Sequence, residues 1–582
     1  MNKSIAFAVF VMTLSVLAAE GCDAVLGLKR AELWVVDGSG GGQTTTSVSS
    51  GTSSGTEGMC TPGNPTACYS GPTGTEGLGV CKGGMATCNA DGGAFGVCMG
   101  EVTPQPATCA TTMDLACLGH DNCVTWAEVV GGGGNSSASG IALDSAGNSY
   151  VVGSFGGVVQ LPGLTLTAVG NSDVYVIKLN SSGMPIWGRS FGTVGTGTFG
   201  SAIAVDKIGN VAFGGTSISA TSLDAFSVSP GMFVAELEPT AGKVSWAQSL
   251  NANVLDVGDV VTGVAFTSSG DVIVGGKFTS KLILGDTPTA APPGGLSYGF
   301  VGRMSGVNGG STTANNGWAK ALCATVGTSN PSCEVMGVRV VAMDNILVGG
   351  DFQVSMGSLL AAGKQDAYIG NYTAAGGVNW EQQIGGSNAT VSAFSLAAGS
   401  DGGPVLSGNL SGTATVSLNP TTTISSSSTD SAFVIHYGPE KTYAWSEVLG
   451  CGWHPNMAGD LCYIDGVASD ESGNVFLAGQ FTGSLSLPGS TTPLVAPTGN
   501  SLYVAKVSST PALLWAKTYG PTDAPIRFSG ADVMSIAGTG VAVTVQGAPV
   551  VFGSANASIK LDWVSLNPTG AQGDAFVAEL SP

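Results

Sequence analysis

Seven tryptophans pace the last four-fifths of this sequence. Trp126, Trp187, Trp246, Trp318, Trp380, Trp445 and Trp515 stand 59 to 72 residues apart. An interval held that often marks repetition of one supersecondary unit, and repetition lets a chain of 582 residues fold without one oversized core. The units average about 65 residues, somewhat longer than familiar propeller repeats of roughly 40–50.

Each unit carries the same four segments in the same order. The first reads Gly140-Ile-Ala-Leu-Asp144, Ala202-Ile-Ala-Val-Asp206 or Gly466-Val-Ala-Ser-Asp470. The second reads Tyr150-Val-Val-Gly153, Ile273-Val-Gly-Gly276, Leu347-Val-Gly-Gly350 or Phe476-Leu-Ala-Gly479. The third is the most regular, as in Val174-Tyr-Val-Ile-Lys-Leu179, Met232-Phe-Val-Ala-Glu-Leu237, Leu502-Tyr-Val-Ala-Lys506 and Ala575-Phe-Val-Ala-Glu-Leu580. The fourth holds the tryptophan. β-Branched and aromatic residues bounded by turn formers make each segment a short strand. Composition agrees: 91 glycines and only 10% charged residues leave little material for amphipathic helices.

The ends of the repeat complete each other. The last unit stops after its third strand at Leu580, while the first tryptophan strand, Val124 to Val129, has no strands before it. The expected fold is therefore all-β: a seven-bladed β-propeller of four-stranded blades over residues 124–582, with the N-terminal strand closing the last blade. This closure puts Phe576 beside Trp126. The second-strand glycines are expected at the crowded centre of the ring, where neighbouring blades leave little room for side chains. The units at 381–445 and 516–582 carry the pattern most weakly.

Three segments precede the repeat. Residues 1–21 read as a signal peptide, with Lys3 ahead of an apolar run from Ile5 to Ala19 that is short for a membrane span. Ala19-Glu20-Gly21-Cys22 resembles a lipobox, which makes Cys22 the lipidation candidate. Residues 22–58 are the anchor and a Gly/Ser/Thr tether with a reach on the order of 25 Å. Residues 59–123 hold Cys60, Cys68, Cys81, Cys88, Cys98, Cys109, Cys117 and Cys123, the mark of a small domain stapled by disulfides. The sequence leaves their pairing open. Of 13 cysteines, using Cys22 as the anchor leaves an even number to pair.

The combination of a D-x-x-G-N turn, a V-x-G strand and the third-strand pattern resembles the bacterial SBBP-type β-propeller repeat family. Cys22-Asp-Ala-Val-Leu-Gly-Leu28, the tether and the cysteine-rich segment look like surface lipoproteins of the myxobacterial type. The resemblance implies an extracytoplasmic repeat protein and no defined reaction. The expected location is the cell envelope or surface, through a lipid anchor.

Functional signals are sparse. A net charge of −20 without a Lys/Arg cluster argues against nucleic acid as a partner. The Asp144–Asn148, Asp206–Asn210 and Asp470–Asn474 turns offer one carboxylate each, too few for calcium, and read as capped hairpin turns. Gly51-Thr-Ser53-Ser-Gly55 and Gly195-Thr-Gly197-Thr-Phe-Gly200 lack the flanking elements of a hydrolase elbow or a dinucleotide loop. His120, His436 and His454 stand in no catalytic motif, and His436 reads as a packing residue. No catalytic residue, metal site or cofactor is expected.

Two cysteine pairs, Cys323/Cys333 and Cys451/Cys462, each follow a tryptophan strand and are disulfide candidates. The second loop carries Trp453, His454 and Asp460, the candidates for ligand contact on that face. The leading expectation is a monomeric, non-catalytic binding or adhesion scaffold for a surface ligand, glycan or protein. The alternative is a carbohydrate-active propeller enzyme with acidic residues in the central funnel.

Overall fold

The computed structural model describes residues 60–582 apart from 106–108, 111–112, 118, 120–122, 251–257, 280, 285–291, 293–295, 311–316, 324–331, 419–420, 427–430, 453–461, 497–500, 521–539, 557 and 571–572. Cys22 therefore lies outside the described residues, as do His120, Trp453, His454 and Asp460.

Seven four-stranded antiparallel sheets form the repeat region. The first runs Ser136–Leu143, Ser149–Phe155, Asp173–Leu179 and Pro185–Phe191, paired in that order. The next five sheets repeat this plan, ending at Tyr519. In the seventh, Gly540–Val543, Pro549–Ala555 and Asp574–Leu580 are joined by Val124–Val130. Val124 pairs with Leu580, Trp126 with Glu579 and Val130 with Ala575. The chain is a seven-bladed β-propeller closed by its N-terminal strand. The weakly patterned fifth and seventh units form complete blades too.

There is no single core. Seven buried clusters each draw from two consecutive blades, the last linking the seventh to the first through Trp126, Val130, Val151, Tyr175, Val550 and Val577. That arrangement explains the sequence of the middle strands. Ser149–Phe155, Gly231–Leu237, Val272–Phe278 and Ile346–Phe352 are buried at every position because both faces of a blade are covered. The outer tryptophan strands alternate instead, as in Val124–Val130.

Two sequence expectations are corrected. The second-strand glycines do not line the centre, which belongs to the first strands, although neighbouring blades do crowd them as expected. A methyl group at Gly275 would lie 2.5 Å from Val338 Cγ1 of the next blade. Nor does Trp126 adjoin Phe576. Trp126 belongs to the seam with the first blade and Phe576 to the seam with the sixth, on opposite faces of one sheet.

The cysteine-rich segment pairs as Cys60–Cys88, Cys68–Cys98, Cys81–Cys117 and Cys109–Cys123 around a hairpin of Pro65–Cys68 with Gly84–Thr87. Its last bridge is buried with Trp515, Phe576 and Leu580 at the seam between sixth and seventh blades.

Candidate functional site

The seven first strands surround a central cavity, because each is the edge of its sheet nearest the axis. Among the described residues a β-bulge interrupts five of them at Ser139, Ser201, Thr262, Met336 and Phe394, and Asp465 takes the same place in the sixth blade, between the Cys462–Phe481 and Gly466–Ala478 pairs. Two bulge hydroxyls tie the ring together: Ser201 Oγ donates to Val261 O and Thr262 Oγ1 to Val335 O, both at 2.6 Å, each in the following blade.

Beyond the bulges the channel widens into a funnel of about 950 Å³. Its lower wall is apolar, with Ile141, Ile203, Val264, Val467 and Val541. Its mouth is formed by the turns between first and second strands, including Asp206–Ile208 and Ser268–Asp271. Antiparallel order places the connections from second to third strands, and from one blade to the next, at the opposite end of the strands. The funnel therefore opens on the other face from the long loops.

The funnel's carboxylates serve the scaffold. Asp206 accepts from the N–H groups of Ile208 and Asn210 at 2.9 and 2.8 Å and from Asn210 Nδ2 at 3.0 Å. Asp271 takes Arg303 Nη2 at 2.5 Å and the Gly306 N–H at 3.0 Å. Asp344 accepts both the N–H and the hydroxyl of Ser268 at 2.7 Å. Glu236 differs: burial raises its pKa to about 7, opposed by Trp246 and reinforced by the Asp206 charge.

The Asp-x-x-Gly-Asn segments are the capped turns that the sequence indicates. Asp144 accepts from the Ala146 and Asn148 N–H groups and Asp470 from that of Asn474, while Gly147, Gly209 and Gly473 have positive φ. Burial works against the ionised Asp144, yet bonds from the Asn148 side chain and N–H, the Tyr150 hydroxyl and the Ala146 N–H bring its pKa below the usual value.

The turns between first and second strands also explain His436. Third-strand Lys178, Arg303 and Lys506 pair with turn residues Asp144, Asp271 and Asp470, and His436 Nε2 pairs with Asp401 at 3.2 Å in the same way. Trp445 meets its ring edge-on. His436 is one variant of a repeated structural pair. Among the described residues no group of three or more His, Cys, Asp or Glu is placed to hold a metal ion.

Of the cysteine loops, Cys323 and Cys333 form a disulfide across a ten-residue separation. Cys462 is disulfide-bonded, while the side chain of Cys451 lies outside the described residues.

One funnel residue was missed in sequence. Arg339 stands where Ala142, Ala204 and Ala468 stand in the quoted first-strand motifs. Aligning Gly337-Val-Arg339 with Gly140-Ile-Ala142 exposes the exception.

No protein-family model matches this sequence, and no curated protein matches it. Solved structures match at the level of the propeller. The Dos1 propeller is 11% identical over 79% of this chain and 95% of its own, with a TM-score of 0.36. Virginiamycin B lyase from Staphylococcus aureus is 9% identical over 77% and 95%, TM-score 0.36. Quinohemoprotein alcohol dehydrogenase from Comamonas testosteroni is 10% identical over 79% and 76%, TM-score 0.33. Likenesses this distant carry nothing about chemistry.

Proposed function

We propose that the chain is a non-catalytic binding module of the SBBP type, held at the envelope by a lipid on Cys22, with its ligand in the central funnel. One observation carries this reading. The funnel is large enough for a drug-sized or disaccharide-sized ligand, while the carboxylates of Asp206, Asp271 and Asp344 are committed to turns and ion pairs. The long loops of the opposite face, favoured from sequence, become the secondary site.

A glycan and surface-polymer array probed with the full chain tests the reading. Capture that disappears in Ala204→Trp, which fills the funnel wall, supports it; unchanged capture by that variant moves the ligand elsewhere. Release of the Cys22→Ala variant from membranes supports the anchor, and unchanged fractionation removes it.

The enzymatic alternative rests on Glu236, a funnel carboxyl whose raised pKa suits a proton donor near neutrality. Glycan turnover by the full chain that is lost in Glu236→Gln would favour it.

A further inference from the structure

The first strands share one register, and that register isolates a single side chain. Opposite the second residue of six of the seven second strands stands an alanine: Ala142 facing Tyr150, Ala204 facing Ala212, Ala265 facing Ile273, Ala397 facing Val405, Ala468 facing Phe476 and Ala542 facing Val550. In the fourth blade the same place holds Arg339, facing Leu347. Six methyl groups leave the axis open. The seventh position carries a guanidinium.

Arg339 lines both the funnel and the narrower channel of about 120 Å³ below it, so it stands at the funnel floor. Its Nη1 donates to the Val338 carbonyl at 2.9 Å. A guanidinium has five N–H donors, and among the described residues no carboxylate lies within ion-pair distance of this one. The residue keeps a partly exposed surface toward the channel, yet the surrounding ring desolvates the guanidinium enough to lower its pKa from the ordinary value. A charge taken from water without a counter-ion is costly to the fold. Alanine, used six times at this place, avoids that cost.

We propose that Arg339 anchors a carboxylate-binding site at the funnel floor, which takes an organic acid with an apolar body. The proposal rests on the funnel being the ligand site and adds the chemical class of the ligand. Guanidinium and carboxylate match in a two-bond fork, and enclosure strengthens the pair. Ile141, Ile203, Val264, Val467 and Val541 border both the floor and the channel, so an aliphatic body finds apolar walls immediately above the anchor. At the mouth Asp206 and Asp344 stand with Lys207 while Asp271 is paired to Arg303, and Asp465 borders the channel at the floor, so on a chain of net charge −20 a multiply charged anion is penalised more than a single carboxylate.

Calorimetric titration of the full chain with octanoate, octanol, inorganic sulfate and inorganic phosphate tests this. Octanoate binds one to one, and octanol, sulfate and phosphate bind at least about ten-fold more weakly. Arg339→Gln loses at least about ten-fold of the octanoate affinity and keeps the octanol affinity. Arg339→Ala, the residue of the other six blades, behaves the same way and controls for the fold, its ligand-free melting temperature being equal to or above that of the wild type. Equal binding of octanoate and octanol overturns the anchor while leaving the funnel as a binding site, and so does retained octanoate affinity in both variants. Tighter sulfate or phosphate binding overturns the carboxylate class. Absence of binding by all four probes also overturns the proposal, and the funnel reading then stands or falls on array capture by Ala204→Trp.

Discussion

The indole of Trp126 occupies the space that a side chain at Gly183 would need: a methyl group there would lie 2.6 Å from Cε3 of the ring. Gly183 has φ of +79°, in the turn between third and fourth strands of the first blade, whereas Trp126 belongs to the seventh. The contact closes the ring. Trp187 with Gly242, Trp246 with Gly309 and Trp318 with Gly376 repeat it between successive blades. Four of the indoles add a bond to the same turn of the next blade, Trp187, Trp246, Trp318 and Trp380 donating to Pro239, Gly306, Ala374 and Pro439.

Trp126→Ala is expected to cost about 3–5 kcal/mol, the usual range for emptying a buried tryptophan site. Gly183→Val destabilises as well, by collision with the ring and by strain at positive φ. Ile186→Ala, at a residue half exposed on the same blade, stays within about 0.5 kcal/mol. Urea unfolding checks all three, and wild-type stability in Trp126→Ala would show that the seam closes without its indole.

Asp351 gives the ring a pH dependence. It lies in the second strand of the fourth blade, where burial first and the neighbouring Glu334 second raise its pKa to about 7, against the pull of the Ala393 N–H, Lys277 and Gln365. A folded-state pKa above the unfolded value means that the native state holds the proton longer. Its stabilising share is full below the ordinary carboxylate range, near pH 4, and is lost as pH rises through about 7. Asp351→Asn should therefore flatten the stability profile between these limits and exceed the wild type at pH 8. Parallel profiles for the two proteins would refute this.

Asp144 works in the opposite sense. Its lowered pKa makes its turn-capping contribution complete above the unfolded carboxylate range, and that contribution is lost as pH falls through the lower folded value. Asp144→Ala is expected to cost about 1–2 kcal/mol at pH 7 and to converge on the wild type in strong acid. Urea midpoints at the two pH values decide, and a constant gap would assign the effect to packing.

Blade count and closure were legible because they depend on strand patterns that recur in sequence. Leu580 and Val124 can be matched as ends of one sheet from strand order alone. Spatial neighbours were harder. Trp126 and Phe576 stand on adjacent strands, but strand pattern alone did not say that they point to opposite seams. Second-strand glycines signal close approach of neighbouring blades but not how far from the axis, so the sequence puts Gly275 at the centre whereas it meets Val338 one strand farther out. The fifth blade was faint because its second strand begins with Pro404 and carries Ser407-Gly408 in place of the paired glycines. Arg339 was visible only by comparing units position by position, since its meaning lies in being the exception.

The pairing of Val124–Val130 with Asp574–Leu580 brings the two ends of the propeller together. The Ser581 N–H donates to the Cys123 carbonyl at 2.6 Å, and Trp563 Nε1 and Asp562 Oδ2 hold the Val124 carbonyl and N–H at 2.9 and 3.1 Å. Tension arriving from the N-terminal side thus enters at the rim, beside the chain's other end, and tends to unzip one strand outward from Val124. Of the seven seams between blades, the five that Val124–Val130 does not enter lie off that load path. A pull from that side is borne by a buried bridge, a handful of bonds and one strand, and the cavity at the axis keeps its shape while they hold.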